Sequence, residues 1–182
     1  MYGSHLTYKI LSQDLYEYLD AAIMVQTSPE EAYRKYDELT SKHIDQLRKL
    51  TKQIHDARIA HDNDAIKAKC CNLYDGALEQ YITVVMAMAR IYWDRENYPV
   101  VEKLFRQAAE FCSVHETWKL NVAHVFFMEE KYKEAIRYYE PIVEKQTDNI
   151  LEVPAIVLAN LCVSHIMTSQ NEEAEELMKK VR

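Results

Sequence analysis

The sequence predicts an all-α protein, a stack of helix pairs interrupted by one long antiparallel helical hairpin. Three observations lead there. Glycine occurs only 2 times and proline 4 times in 182 residues. Glycine supplies the positive φ that tight hairpins, phosphate-cradling loops and nucleophile elbows need. The phosphate loop, G-x-G-x-x-G and G-x-S-x-G are all missing, which argues against all-β and doubly wound α/β folds. Helix-start signals punctuate the chain at intervals too short for large loops. The apolar pattern itself recurs about every 34 residues, the mark of a repeat architecture.

The elements follow in chain order. Ser28-Pro29-Glu30-Glu31 combines a hydroxyl N-cap, proline at the first helical position and glutamate at the third. The same logic predicts starts at Ser113…Glu116, Asn149…Glu152 and Ser169…Glu172. Pro99 and Pro154 suit first turns, where a missing N–H costs nothing. With Asp62-Asn63-Asp64 read as a turn, these marks divide the chain into about eight helices. Two are long. From Glu30 an apolar 3-4-3 seam runs through Leu47, Leu50, Ile54 and Ala57. Beyond a polar tip at His61 to Asp64, expected to be exposed and easily cut, it resumes at Ile66, Cys70, Leu73, Ala77 and Tyr81 and continues to Trp93. Such seams suit two antiparallel arms, each about 45 Å long.

The repeat then becomes explicit. Met88, Ala89, Tyr92, Tyr98, Val101, Phe105 and Ala108 recur 34 residues later as Val122, Ala123, Phe126, Tyr132, Ala135, Tyr139 and Ile142. They recur 39 residues further on as Leu161, Cys162, His165, Asn171, Ala174, Met178 and Val181. The five extra residues fall at Thr147 to Leu151. A weaker copy precedes them at Leu19, Asp20, Ile23, Pro29, Ala32, Tyr36 and Leu39. Small residues at the eighth and twentieth positions let two helices approach closely, and aromatics at the eleventh, seventeenth and twenty-fourth fill the space beside them. This is the tetratricopeptide pattern, helix–turn–helix units stacked into a superhelix, or α-solenoid. The expected division is a degenerate repeat over 14–44, the long helical hairpin over 44–84, repeats over 83–115 and 117–149, and a truncated repeat over 156–182. Met1 to Ser4 read as residues added at cloning.

Charge and reactive side chains narrow the function. Lys plus Arg total 22 against 29 Asp plus Glu, a net charge of -7, so the chain lacks the general attraction to phosphates that nucleic-acid binding requires. Arg34 to Lys69 holds nine basic and six acidic residues, but their alternation is that of a solvated helix face. Cys70, Cys71, Cys112 and Cys162 show no C-x-x-C spacing, and the Cys70-Cys71 stretch lacks nearby His or Cys ligands, so reduced thiols in an intracellular protein are expected and no metal. No run of about eighteen apolar residues could span a bilayer. None of the seven histidines stands in a known ligand or nucleophile pattern. His165, at an aromatic position of the repeat, reads as a packed core imidazole. The chain is expected to be no enzyme and to need no cofactor.

What remains informative is the inner wall of the superhelix. In this fold, positions 2, 5, 9, 12 and 13 of each first helix face the concave groove. Candidate partner-binding residues are therefore Met86, Arg90 and Trp93, then Leu120, His124, Phe127 and Met128, and then Val163, Ile166 and Met167. Asn121 and Asn160, both at the sixth position, could bond the backbone of an extended peptide. The wall is apolar and aromatic, without the basic clamp that holds a terminal carboxylate in co-chaperone adaptors. Exposed repeat ends would also favour self-association. A co-chaperone adaptor and a coiled-coil adaptor binding helical segments are the competing readings.

Several strings are more specific than the repeat. Trp118-Lys119-Leu120-Asn121-Val122-Ala123-His124 followed by Tyr132-Lys133-Glu134-Ala135, Ile156 to Cys162 and Thr168 to Met178 resemble the fleer-type tetratricopeptide subunit of intraflagellar transport complex B. Gln26 to Ala32 and Leu47 to Thr51 are similar to it as well. The likeness runs from about His5 to Arg182 and resembles the C-terminal half of longer members. It implies a non-enzymatic role in the cilium or flagellum and the cytoplasm, in cilium assembly and cargo transport. It further implies a closed superhelix around a proline-rich segment of another core subunit, and an association with tubulin polyglutamylation through transport. Nucleic acid and membrane are not implied as partners.

Overall fold

The computed structural model describes residues 12–60, 64–146 and 153–180, and these residues are helical throughout apart from short connections. In order the helices are α1 (Gln13–Met24), α2 (Pro29–Ile59), α3 (Asp64–Trp93), α4 (Tyr98–Cys112), α5 (Glu116–Met128), α6 (Tyr132–Glu144), α7 (Ala155–Met167) and α8 (Asn171–Lys180). They form two compact units, Met1–Ile91 and Tyr92–Arg182. The expected tip at His61 to Asn63, the start at Asn149…Glu152 and the five-residue insertion at Thr147 to Leu151 lie outside the described residues.

Local chemistry explains most boundaries and corrects three. Ser28 precedes α2 with Pro29 in its first turn, yet its hydroxyl caps nothing. Glu31, expected to reach back and close a capping box, instead pairs with Arg34 one turn on. Ser113 caps the end of α4, and α5 starts at Glu116 with His115 as N-cap, its ring accepting from the Thr117 N–H. Ser169 is likewise no N-cap but a left-handed residue with φ 63°.

Ser169 belongs to a set. Glu96, Glu130 and Ser169 have φ of 56°, 59° and 63°, at the same 34- and 39-residue offsets as the apolar pattern. In each turn the next residue's N–H closes back on the helix: Asn97 to Tyr92 O at 2.9 Å, Lys131 to Phe126 O at 2.8 Å, Gln170 to His165 O at 2.8 Å. These are Schellman closures without glycine. The upstream turn differs, with the N–H groups of Thr27 and Ser28 both donating to Met24 O. Weak sequence likeness there coincides with a different turn.

In the first unit α1 packs on α2, with Ala21, Ala32, Tyr36 and Leu39 buried. Antiparallel pairing of α2 and α3 is visible in shared clefts. Leu39 and His43 line one with Gln80, Thr83 and Val84, and Thr51, Ile54 and Arg58 line another with Tyr74. The α2 seam is buried at Leu47, Leu50 and Ala57. On α3, Ala77, Leu78 and Tyr81 are buried, but Ile66 and Leu73 of the expected seam are 49% and 52% exposed. The buried face passes through Tyr74 rather than Leu73, one residue or about 100° around the helix. Leu19 and Ile23 of the weak copy are exposed as well.

The second unit follows the repeat closely. Val101, Phe105, Ala108, Val122, Ala123, Phe126, Ala135, Tyr139, Leu161, His165 and Ala174 are buried. Asn171 and Met178, at the matching sites of the last pair, are exposed. The unit is a tetratricopeptide α-solenoid, with α5 packed on α6, α6 on α7 and α7 on α8.

Two substitutions, one removing a glycine and one adding it, test one rule. Gly76 lies inside α3, and a methyl added there would meet nothing within 4 Å. Gly76→Ala should stabilise by about 0.5–1 kcal/mol. Glu130→Gly should stabilise by up to about 1 kcal/mol, because relief of a left-handed side chain exceeds glycine's entropic cost. Urea melts of both single variants read the signs directly.

Candidate partner-binding face

The face is built on α5 and α7, held by the helices behind them. Trp118 anchors the start of α5, its indole N–H donating to Phe105 O at 3.2 Å. Tyr138 on α6 meets Trp118 edge-on at 6.2 Å and Phe126 at 5.8 Å. An ion cluster ties the α5–α6 turn to α4. Lys131 Nζ lies 2.6 Å from Glu102 and 3.1 Å from Glu129, and Arg106 also bonds Glu102. Burial alone would raise the Glu102 carboxyl, but hydrogen bonds from Lys131 and Arg106 bring it down to about 2. Glu129 is held above the usual carboxylate range by burial and by its neighbour Glu102.

Between α5, α6 and α7 sits a polar cluster that the sequence pattern does not announce. The Tyr139 hydroxyl, fully buried, is 2.6 Å from His124 Nδ1 and accepts from Asn160 Nδ2 at 3.0 Å. The rings of His124 and Tyr139 also meet edge-on, 5.5 Å apart. Burial lowers the His124 imidazole below its ordinary value and pushes the Tyr139 phenol up to about 12. One signal was present in the sequence. His124 and Tyr139 occupy the ninth and twenty-fourth repeat positions, and in this helix pair the two side chains meet.

The expected site residues divide accordingly. Leu120, His124, Phe127 and Met128 are spaced along α5 as i, i+4, i+7 and i+8 and share one face. The first three are half-buried and Met128 is exposed. Phe127 leans edge-on against Tyr132 at 5.8 Å. On α7, Val163, Ile166 and Met167 are 41%, 50% and 58% exposed. Asn160 departs from expectation. It is buried and its amide serves Tyr139, so it is not open to a peptide backbone. Asn121 donates to Thr117 O on its own helix at 2.8 Å. Trp93 is half-buried against Tyr98 at 5.1 Å. Met86 and Arg90 belong to the first unit, half-buried and exposed respectively. His165 is core, between Gln170 at 3.1 Å and Glu140 at 3.6 Å.

No group of three or more His, Cys, Asp or Glu placed to hold a metal occurs among the described residues. No described helix is long and apolar enough to cross a membrane. The four cysteines are free, and burial pushes Cys112 up to about 12.

One buried and one half-buried imidazole give the fold a pH dependence. Burial lowers His43 as well as His124. The unfolded chain therefore takes up protons first, so stability is complete above about pH 6.5 and falls as the pH drops below it. Glu129 works in the opposite direction, because its folded-state value is raised. The readout is thus a difference: His43→Leu should flatten the fall in melting temperature between pH 7 and 5 relative to wild type. An unchanged slope would show that His43 protonates freely in the folded state.

Repeated left-handed turns and paired helices, with apolar side chains exposed on α5 and α7, define a tetratricopeptide-repeat protein. The comparison with families is specific: the Intraflagellar transport protein 70 C-terminal domain matches residues 2–182, and the chain belongs to that family. Intraflagellar transport protein 70A of Danio rerio is 63% identical over 180 residues, 98% of this chain and 28% of that protein. The Bos taurus protein of the same name is 64% identical, over 98% of this chain and 27% of its own. The Homo sapiens one is 63% identical with the same coverage. The chain thus spans little more than a quarter of the length of these relatives. Among solved structures, a Podosopora anserina kinesin light chain protein of nearly identical TPR-like repeats aligns at a TM-score of 0.44 and 16% identity, with 92% of each chain covered.

Proposed function

We propose that this chain is part of a non-enzymatic scaffold subunit of intraflagellar transport complex B, working in the cilium and cytoplasm. Its α5–α7 face holds an extended, proline-rich segment of a partner core subunit. The observation that carries this reading is the exposure of Val163, Ile166, Met167 and Met128 on first-helix faces whose opposite sides already fill the core. Aromatic and apolar grooves take proline-rich strands because the strand is already extended and loses little entropy on docking. Cargo transport, and through it tubulin modification, follows from membership of the complex. A pull-down with proline-rich peptides against composition-matched scrambled ones tests it. Retention of the proline-rich set is expected, and equal retention of both sets would overturn the reading. Self-association is part of the same proposal, since α1 leaves Leu15, Leu19 and Ile23 uncovered. Sedimentation across a concentration series should show it, and a strictly monomeric profile would exclude it.

A further inference from the structure

We infer that His124 is the fixed hydrogen-bond donor of the α5–α7 face, presenting Nε2–H to a main-chain carbonyl of the extended segment lying along it. The inference rests on the groove reading above. The geometry starts from Tyr139, whose buried hydroxyl lies between Asn160 Nδ2 at 3.0 Å and His124 Nδ1 at 2.6 Å. The Asn160 amide nitrogen can only donate, so the Tyr139 oxygen accepts there; the buried hydroxyl proton meets no acceptor but His124 Nδ1 among the described residues, and turns to it. Nδ1 then carries the lone pair, and the neutral ring keeps its proton on Nε2. Burial keeps that ring neutral near pH 7.

Nε2 has no hydrogen-bond partner among the described residues, and it is not among the buried, unsatisfied atoms. It is therefore open to an incoming acceptor. Around it on α5 stand Leu120, Phe127 and Met128, all apolar. A donor set among such neighbours loses its water when a ligand covers the face and must find an acceptor in exchange. A proline-rich strand supplies one. It lacks N–H at every proline but keeps every carbonyl, so the surface that reads it must offer donors.

The test uses the chain with 15N-labelled histidine and a synthetic alanine–proline repeat peptide as the probe. In the free chain, His124 Nδ1 should resonate as an unprotonated nitrogen and Nε2 as a protonated one. Adding the peptide should move the Nε2–H signal downfield and slow its exchange with water. His124→Phe should weaken peptide binding about tenfold, the size of one lost hydrogen bond, and His124→Gln should recover part of it. A proton found on Nδ1 in the free chain overturns the inference whatever the variants do. Equal binding by wild type and His124→Phe overturns the donor and leaves the groove standing. A wild-type chain that binds no peptide overturns the groove reading, and this inference with it.

Discussion

Tyr139→Ala is expected to lower the stability of the second unit by roughly 3–5 kcal/mol, the range for deleting a large buried ring. Tyr139 is fully buried, and its loss opens a cavity between α5, α6 and α7 while stranding His124 Nδ1 and the Asn160 amide. Since a domain of this size is stable by only about 5–15 kcal/mol, the variant should melt far below wild type. Tyr139→Phe separates the two contributions. It keeps the ring and removes only the hydroxyl, at a cost of about 1–3 kcal/mol for the polar groups left unpaired. Urea titrations of both variants give the comparison. If Tyr139→Phe matches wild type, the cluster adds nothing and Tyr139 acts as a ring alone.

Phe127→Glu should weaken binding of a proline-rich partner by more than about 2 kcal/mol, a hot-spot loss. Its half-buried ring touches Tyr132 edge-on, so folding should suffer by no more than about 0.5–1.5 kcal/mol. Ala135→Leu is the matched control. Ala135 is fully buried on α6, and overpacking there should cost roughly 1–3 kcal/mol of stability. One variant should fold and fail to bind; the other should bind per folded molecule but melt early. Calorimetric titration and thermal melts distinguish them. Should Phe127→Glu unfold the chain while binding per folded molecule holds, Phe127 is core and the face lies elsewhere.

The sequence carried the helical class, the two long helices and the repeat because each is a periodic signal summed over many residues. Ala123, Ala135 and Tyr139 are buried where the 34-residue pattern sets them. Signals resting on one side chain fared worse. Ser28, Ser113 and Ser169 look alike before a glutamate, yet one precedes a helix uncapped, one ends a helix and one is left-handed. Which of these a serine does depends on the backbone geometry that the neighbouring turn imposes. On α3 the buried face runs through Tyr74 and not Leu73, because a 3-4 spacing admits two faces until the partner helix selects one. The Asn160 role was not legible either. Its place on the first helix was correct, but only the fold brings Tyr139, on a different helix, within reach of its amide.

The three left-handed turns have a further consequence. A solenoid grows by addition, so an angular error in one unit would propagate into every later one. Glu96, Glu130 and Ser169 end their helices with closely similar backbone angles, and α5 and α7 both run for 13 residues. Each turn thus hands the chain to the next helix with nearly the same backbone geometry. Length variation is pushed to the other joint: α4 and α5 are separated by Ser113 to His115, whereas α6 ends at Glu144 and α7 begins only at Ala155. A residue inserted into one of these turns would break the N–H closure onto the preceding helix, so the sequence varies in length at the other joint instead.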